Sequence, residues 1–187
     1  RFNHRHNNKT GVTFTHINYD LNFDHTSLYG QPLENINQTT GNTNLVSAYS
    51  QSLFQLNENV LLTAGVNVQH LTLNRKTTIE PRASIRWQAN EKNAIALGYG
   101  LHSRMEKPDV YFVKDINGDL VNRNLDFTKS HHLMLSYVHK LSDDMNLKVE
   151  PYYQSLFDVP ITEKGVYSIL NRKNFYITQE LVSRGKG

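Results

Sequence analysis

An apolar residue at every second position is the feature that most constrains what this chain can fold into. The even positions of VLLTAGVNVQH, residues 60 to 70, are apolar up to position 68: Val60, Leu62, Ala64, Val66 and Val68. The odd positions from Thr63 to Gln69 are polar or glycine. Successive side chains of a strand point to opposite faces, whereas a helix groups every third or fourth residue. The segment is therefore predicted to be a strand with one apolar face.

Other segments follow the same rule. In TIEPRASIRWQ the apolar set is Ile79, Ala83, Ile85 and Trp87, and the polar set is Glu80, Arg82, Ser84, Arg86 and Gln88. In MNLKVEPYYQS the two sets are Met145, Leu147, Val149, Pro151 and Tyr153, and Asn146, Lys148, Glu150, Tyr152 and Gln154. Less regular strands are predicted at 10–23, with Ile17, Tyr19, Leu21 and Phe23 on one face, at 44–57, 93–104 and 129–141, and an eighth near 166–178.

The predicted connections alternate in length, and this feature helps to distinguish a soluble β-sandwich from a transmembrane β-barrel. Short polar turns at 57–59, 90–93 and 142–145 join hairpins, whereas 24–43 and 105–128 are predicted to be loops of about twenty residues. Only the link at 74–78 is short where a long loop is expected. A soluble β-sandwich that serves in binding or adhesion has the same alternation of faces. Long strands and alternating connections favour an antiparallel up-and-down meander that is part of a transmembrane β-barrel, with short periplasmic turns and long outer loops.

This barrel interpretation assigns the two faces of the strands. The residues predicted to face the lumen are Glu80, Arg82, Arg86, Lys148 and Glu150. The residues predicted to face outer-membrane lipid are Val60, Leu62, Val66, Ile79, Ile85 and Trp87. Charges of both signs along a water-filled wall pair with each other and need no reaction to explain them.

The order of several motifs resembles a known family. TTIEPRASIRW, a short turn and NAIALGYGLHSR, and then SHHLMLSYVHKLSDDMNLKVEPYYQSLFDVPI are similar to the barrel of TonB-dependent outer-membrane receptors. The tail LVSRGKG resembles the approach to a further barrel strand. The resemblance covers about residues 44 to 187. It implies a bacterial outer-membrane protein for energised uptake of an iron chelate, a cobalamin or a glycan.

The same resemblance implies a 22-stranded barrel closed by a plug domain through which the TonB complex acts. Residues 1–187 are then expected to form a partial barrel domain of about seven or eight strands, without the plug or the closing strand. The start at Arg1 without a leader also suggests a piece of a longer protein.

Other chemistries find little support in the sequence. The formal charge of +3 is spread along the chain, which argues against a nucleic-acid partner. No cysteine is present, no nucleophile or phosphate-loop motif occurs, and no enzyme activity and no cofactor are predicted. The histidines at 4 and 6 and at 131 and 132 lack a third ligand at identifiable spacing, so no metal site is predicted.

One loop segment has the composition of a ligand-binding loop. In DINGDLVNRNLD the residues Asp115, Asn117 and Asp119 are possible ligand-loop residues. The glycine position and the final Asp126 do not fit an EF-hand, and a turn at Asn117–Gly118 is predicted instead.

Overall fold

The protein is an antiparallel sheet whose strands follow one another along the chain. A computed structural model describes residues 5–25, 34–115, 117–171 and 180–187. The first six strands are β1 (His6–His25), β2 (Glu34–Asn57), β3 (Val60–Leu71), β4 (Lys76–Asn90), β5 (Asn93–Arg104) and β6 (Thr128–Lys140). The later strands are β7 (Asn146–Val149), β8 (Tyr152–Phe157), β9 (Val159–Ile161) and β10 (Val182–Gly185). One helix, α1 (Pro108–Tyr111), and one 3-10 turn, Ile169–Asn171, complete these elements.

The main sheet is a meander in the order β1-β2-β3-β4-β5-β6-β7, with β8 also paired to β6. Its hairpin turns at 58–59 and 91–92 and the connection at 141–145 lie at one end of the sheet. The connections after β3 and β5 lie at the other end. The predicted all-β antiparallel meander is confirmed.

The connection between β1 and β2 is shorter than predicted. The two strands pair from His6 and Phe54 as far as His25 and Glu34, so most of the predicted loop at 24–43 is strand. Thr, Asn and Gln fill this part of the chain, and they lack the apolar alternation that marks a strand in sequence. Backbone pairing with a long neighbouring strand compensates for that weak local signal.

β7 and β8 are two parts of one predicted strand. Both pair with β6 in a single register, from Lys140 and Asn146 to Lys129 and Phe157. Proline has no N–H to donate, and Pro151 interrupts the ladder between them. Its carbonyl still accepts a hydrogen bond from the Leu135 N–H at 3.1 Å.

The register defines two faces of the sheet. Trp87 lies opposite Val60 on β3 and Ile95 on β5, and this side is the apolar face. Glu80 lies opposite Asn67 on β3, and its side is the polar face. Ile79 is 60% exposed and Trp87 is 49% exposed, because no described element covers the apolar face.

In β1 the apolar residues lie on both faces. Ile17, Tyr19, Leu21 and Phe23 share one face of their strand, as predicted, and the pairing with β2 places this face on the side of Glu80. Val12 and Phe14 instead lie on the apolar face and are 72% and 64% exposed. Apolar residues of β1 lie on the polar side because a neighbouring loop covers that end of the polar face.

That loop, residues 105–127, supplies most of the compact core. Its buried apolar residues are Val110, Tyr111, Phe112, Val113, Leu125 and Phe127. They form one cluster with Leu71 and Leu73 from the β3–β4 end and with Val159, Ile169 and Leu181, and Tyr19 and Leu21 pack against it. Phe112 and Tyr19 have ring centroids 4.7 Å apart. The loop has the predicted length, but it is packed onto the sheet.

The strand predicted near 166–178 is not found in residues 166–171, the part of it that the structure describes. Residues 166–171 contain the 3-10 turn instead of a strand, and residues 172–178 lie outside the described residues. Near the end of the chain, Gly187 exchanges backbone hydrogen bonds of 2.7 and 3.1 Å with Leu156 of β8. No helix among the described residues is long and apolar enough to cross a membrane.

Candidate functional site

The residues predicted to face the lumen all lie on the polar face. Glu80, Arg82 and Arg86 alternate along β4, and Lys148 lies opposite Val138, on the same side as Ser136 and Arg86. Lys148 and Glu150 form an ion pair at 2.8 Å that is open to solvent. The structure therefore brings the predicted charges onto one wall, and their contact with a lumen stays a prediction.

Glu80 is the most tightly held charge on this wall. Its side chain is almost fully buried, and Oε2 accepts hydrogen bonds from Asn67 Nδ2 at 3.0 Å and Arg82 Nη2 at 3.2 Å. Oε1 accepts from Gln69 Nε2 and from the backbone N–H and the hydroxyl of Ser103. Such a full set of donors compensates for removing a carboxylate from water.

The position of Glu80 explains this burial. The β4–β5 ladder ends at the pair of Arg82 and Gly100, and beyond it the two strands no longer pair. The Glu80 carboxylate occupies this gap and accepts the Ser103 N–H at 3.1 Å. A side chain thereby replaces the missing backbone acceptor and joins β3, β4 and β5.

Beside Glu80 the polar face has a hollow of about 460 Å³. Gly98 and Gly100 lie along it on β5, and Arg82, His102 and His132 border it. The His102 and His132 rings have centroids 4.6 Å apart. The glycines leave this part of the wall without side chains of their own.

The residues predicted to face lipid also share one side. Val60, Leu62 and Val66 on β3 lie opposite Trp87, Ile85 and Pro81 on β4, and Ile79 lies opposite Val68. No Asp, Glu, Lys or Arg occurs on the apolar face between Val60 and Val68 or between Ile79 and Trp87. Contact with lipid stays a prediction for these residues.

The possible ligand loop forms a tight turn closed by its own acid. The Asp115 carboxylate accepts the backbone N–H groups of Asp119 at 2.8 Å and Asn117 at 2.9 Å. These bonds, the one from Asp119 first, hold the pKa of the Asp115 carboxyl below its usual range. Gly118 has φ of 86°, which suits glycine, so the predicted turn at Asn117–Gly118 is confirmed. A role of the turn in ligand binding stays a prediction.

Buried polar groups of the loop core have defined partners. Tyr111 is 1% exposed, and its hydroxyl accepts the Glu106 N–H at 3.0 Å. Burial is the main cause that raises the pKa of Tyr111 to about 12. Asn122 Oδ1 accepts the Leu181 N–H at 2.7 Å and so ties the loop to the segment before β10.

Sequence reasoning did not identify Asn67, Gln69 and Ser103 as partners of Glu80. The alternation placed Asn67 and Gln69 on the polar face, but the register that brings them to Glu80 is a tertiary property. His131 and His132 point to opposite faces, as expected for adjacent strand residues. His131 stacks on Phe157, whereas His132 meets His102. Among the described residues no group of three or more His, Cys, Asp or Glu side chains converges on a metal site.

A comparison with solved structures identifies the fold. A mutant of the ferric enterobactin receptor from Pseudomonas aeruginosa matches 83% of this chain with a TM-score of 0.65 and 12% sequence identity. The chain therefore shares its fold with a segment of that protein. It spans 24% of the length of that receptor. Because the sequence identity is only 12%, the match demonstrates a shared fold and nothing further. No family model and no curated protein matches the chain.

Proposed function

We propose that the chain forms part of the membrane-spanning barrel of a TonB-dependent outer-membrane receptor. The receptor takes up a scarce ligand of the iron-chelate, cobalamin or glycan class, and it has no catalytic activity of its own. The proposal rests on the motif order between residues 44 and 187 and on the barrel fold shared with the ferric enterobactin receptor.

The exposed apolar face is the observation that carries the membrane proposal. Val12, Ile79, Trp87 and Tyr153 on this face are between 49% and 72% exposed. A soluble sandwich covers such a face with a second sheet, whereas lipid covers it in a membrane barrel. The only other sheet among the described residues, β9 with β10, has two strands and contributes Val159 to the loop core on the polar side.

The arrangement of the two ends also supports a barrel. Short turns lie at one end, as on the periplasmic side of outer-membrane barrels, and the packed loop 105–127 lies at the other, where outer loops gather. The buried loop core gives that end a fixed shape. A ligand that reaches the receptor from outside meets this end first.

Two adjacent substitutions test the membrane proposal. Ile85→Arg places a charge on the apolar face, and Ser84→Arg places the same charge on the polar face one residue away. Ile85→Arg should cost about 2 to 4 kcal/mol near the bilayer midplane, and Ser84→Arg should cost much less. The free energy of unfolding of the complete protein in lipid vesicles measures both, with Val66→Arg as a second variant of the first kind.

Cell fractionation distinguishes a membrane barrel from a soluble sandwich if Ile85→Arg leaves the stability unchanged. The complete protein should be recovered with the outer membrane and should require detergent. Recovery in the soluble fraction, together with an unchanged stability of Ile85→Arg, would instead support a soluble sandwich module. Uptake is tested separately by growth of a deletion strain on each ligand class, with and without a functional TonB complex.

A further inference from the structure

The hollow on the polar face brings three metal-binding side chains to one place. His102 belongs to β5, and His132 and Met134 belong to β6. All three border the same space of about 460 Å³. Because His132 and Met134 are two residues apart on one strand, they point to the same face.

The two imidazoles meet above Gly100. A Cβ atom on Gly100 would lie 2.8 Å from His102 Nε2, so the ring of His102 lies directly over this glycine. His132 is the cross-strand partner of Gly100. The two rings are therefore neighbours, with centroids 4.6 Å apart and planes inclined by 55°.

The thioether of Met134 borders the next position along β5. Met134 is the cross-strand partner of Gly98, and its Cε lies 3.9 Å from where a Cβ of Gly98 would stand. Gly98 and Gly100 are two residues apart on the same face. The His102 ring occupies the space over Gly100, and the missing side chain of Gly98 leaves room beside the Met134 thioether.

Among the other polar residues of the lining, Gln51, Thr63 and Ser84 are uncharged, and Arg82 and Tyr152 each have a partner. Arg82 is paired with Glu80 at 3.2 Å, which offsets its positive charge next to the hollow. The Tyr152 hydroxyl donates to Gln154 Oε1, and its ring meets His132 edge-on at 5.8 Å. No acid lines the hollow, and its two imidazoles and one thioether are the lining groups that bind soft metal ions.

This combination of donors selects one class of ion. Imidazole suits several transition metals, but a thioether is a soft ligand that favours Cu(I), and hard cations prefer carboxylate or carbonyl oxygen. We propose that His102, His132 and Met134 form a binding site for Cu(I) on the polar face of the sheet. The proposal does not depend on insertion into a membrane, since the donors are brought together by the pairing of β5 with β6.

The test is a competition titration of the complete protein, purified in detergent, with Cu(I) under reducing and oxygen-free conditions. A chromophoric Cu(I) chelator reports the affinity of each variant. Met134→Leu keeps the volume of the side chain but removes the sulfur, and it should weaken Cu(I) binding at least tenfold. His132→Ala should weaken it further.

Two more variants separate coordination from a loss of fold. His131→Ala removes the adjacent imidazole on the opposite face and should leave the Cu(I) affinity unchanged. Gly100→Ala keeps every donor but displaces the His102 ring, and it should weaken binding without changing the unfolding midpoint by a comparable extent.

A spectroscopic measurement identifies the ligands directly. X-ray absorption at the copper edge should show a sulfur contribution in the wild type that is absent in Met134→Leu. Equal Cu(I) affinity in the wild type and Met134→Leu would overturn the site, as would equal losses in His131→Ala and His132→Ala. Either result would leave the fractionation and the arginine substitutions, which test the membrane proposal, unaffected.

Discussion

Removal of the Glu80 carboxylate should destabilise the sheet more than removal of any exposed acid of the same wall. Glu80→Ala leaves the donors of Asn67, Gln69 and Ser103 without their acceptor in a gap between strands. A buried donor left unsatisfied costs about 1 to 3 kcal/mol. Asn67 and Gln69 are partly exposed, so hydrogen bonds to water recover part of this cost. The Ser103 N–H lies where the β4–β5 ladder ends, and it loses its acceptor there.

The loss of the ion pair with Arg82 adds to this cost. Breaking a buried charge pair on one side costs about 3 to 5 kcal/mol. The Arg82 side chain is 39% exposed, so solvent reduces its share and the lower half of that range applies. With the donor cost at its lower end, about 1 kcal/mol, added to about 3 to 4 kcal/mol for the ion pair, we expect the free energy of unfolding of Glu80→Ala to fall by about 4 to 5 kcal/mol in total.

Denaturant unfolding of the complete protein in detergent measures this difference. Glu150→Ala is the matched control, because Glu150 belongs to the same polar face but pairs with Lys148 in solvent. Its midpoint should stay close to that of the wild type. Glu80→Gln keeps one acceptor oxygen and the side-chain shape, and it should lie between Glu80→Ala and the wild type. Equal midpoints for Glu80→Ala and Glu150→Ala would refute the role of Glu80 as the acceptor that joins three strands.

Three further predictions concern the loop after β5. Burial raises the pKa of Tyr111 to about 12 from an ordinary 10.0, so the neutral side chain favours the folded loop below pH 10 and this contribution should be lost between pH 10 and 12. The tyrosinate absorbance of Tyr111 is the part that is missing in Tyr111→Phe. It should titrate near pH 12. The lowered pKa of Asp115 stabilises its turn above the ordinary carboxyl range and should cease to do so as the pH falls through the lowered value. Asp115→Ala should therefore lower the hydrogen-exchange protection factors of the Asn117 and Asp119 amides at neutral pH. The wild type should lose the same protection in acid, once its rates are divided by the intrinsic exchange rate at that pH. Leu125→Ala should destabilise the loop core by about 2 to 5 kcal/mol, seen as faster proteolysis within 105–127 while the sheet keeps its circular dichroism; unchanged proteolysis would show that the loop is not held by this core.

Strand order and the two faces of β3 and β4 were predictable from the residues. Alternation at Val60 to Val68 and at Ile79 to Trp87 is local, because every second side chain of a strand shares one face. Polar turn residues at 57–59 and 90–93 then fix the hairpins. These features need no information about distant parts of the chain.

Alternation in β1 identified which residues share a face but not which face of the sheet they join. Ile17, Tyr19 and Leu21 alternate with polar residues, but so do Val12 and Phe14 on the other face. The pairing with β2 and the packing of residues 105–127 decide that Tyr19 and Leu21 contact the loop core. Long-range contacts of this kind leave no periodic signal in either segment.

The candidate sites show the same division. The sequence placed Glu80 and Arg82 on one face and separated His131 from His132, since a period of two is a property of the extended backbone itself. It did not show that Glu80 fills the end of the β4–β5 ladder, or that His102 and His132 meet above Gly100. By itself, then, the sequence determined the strand period and the character of each face. Only the tertiary structure decided the register between strands and the cover of each face, because both depend on hydrogen bonds and packing between residues far apart in the chain.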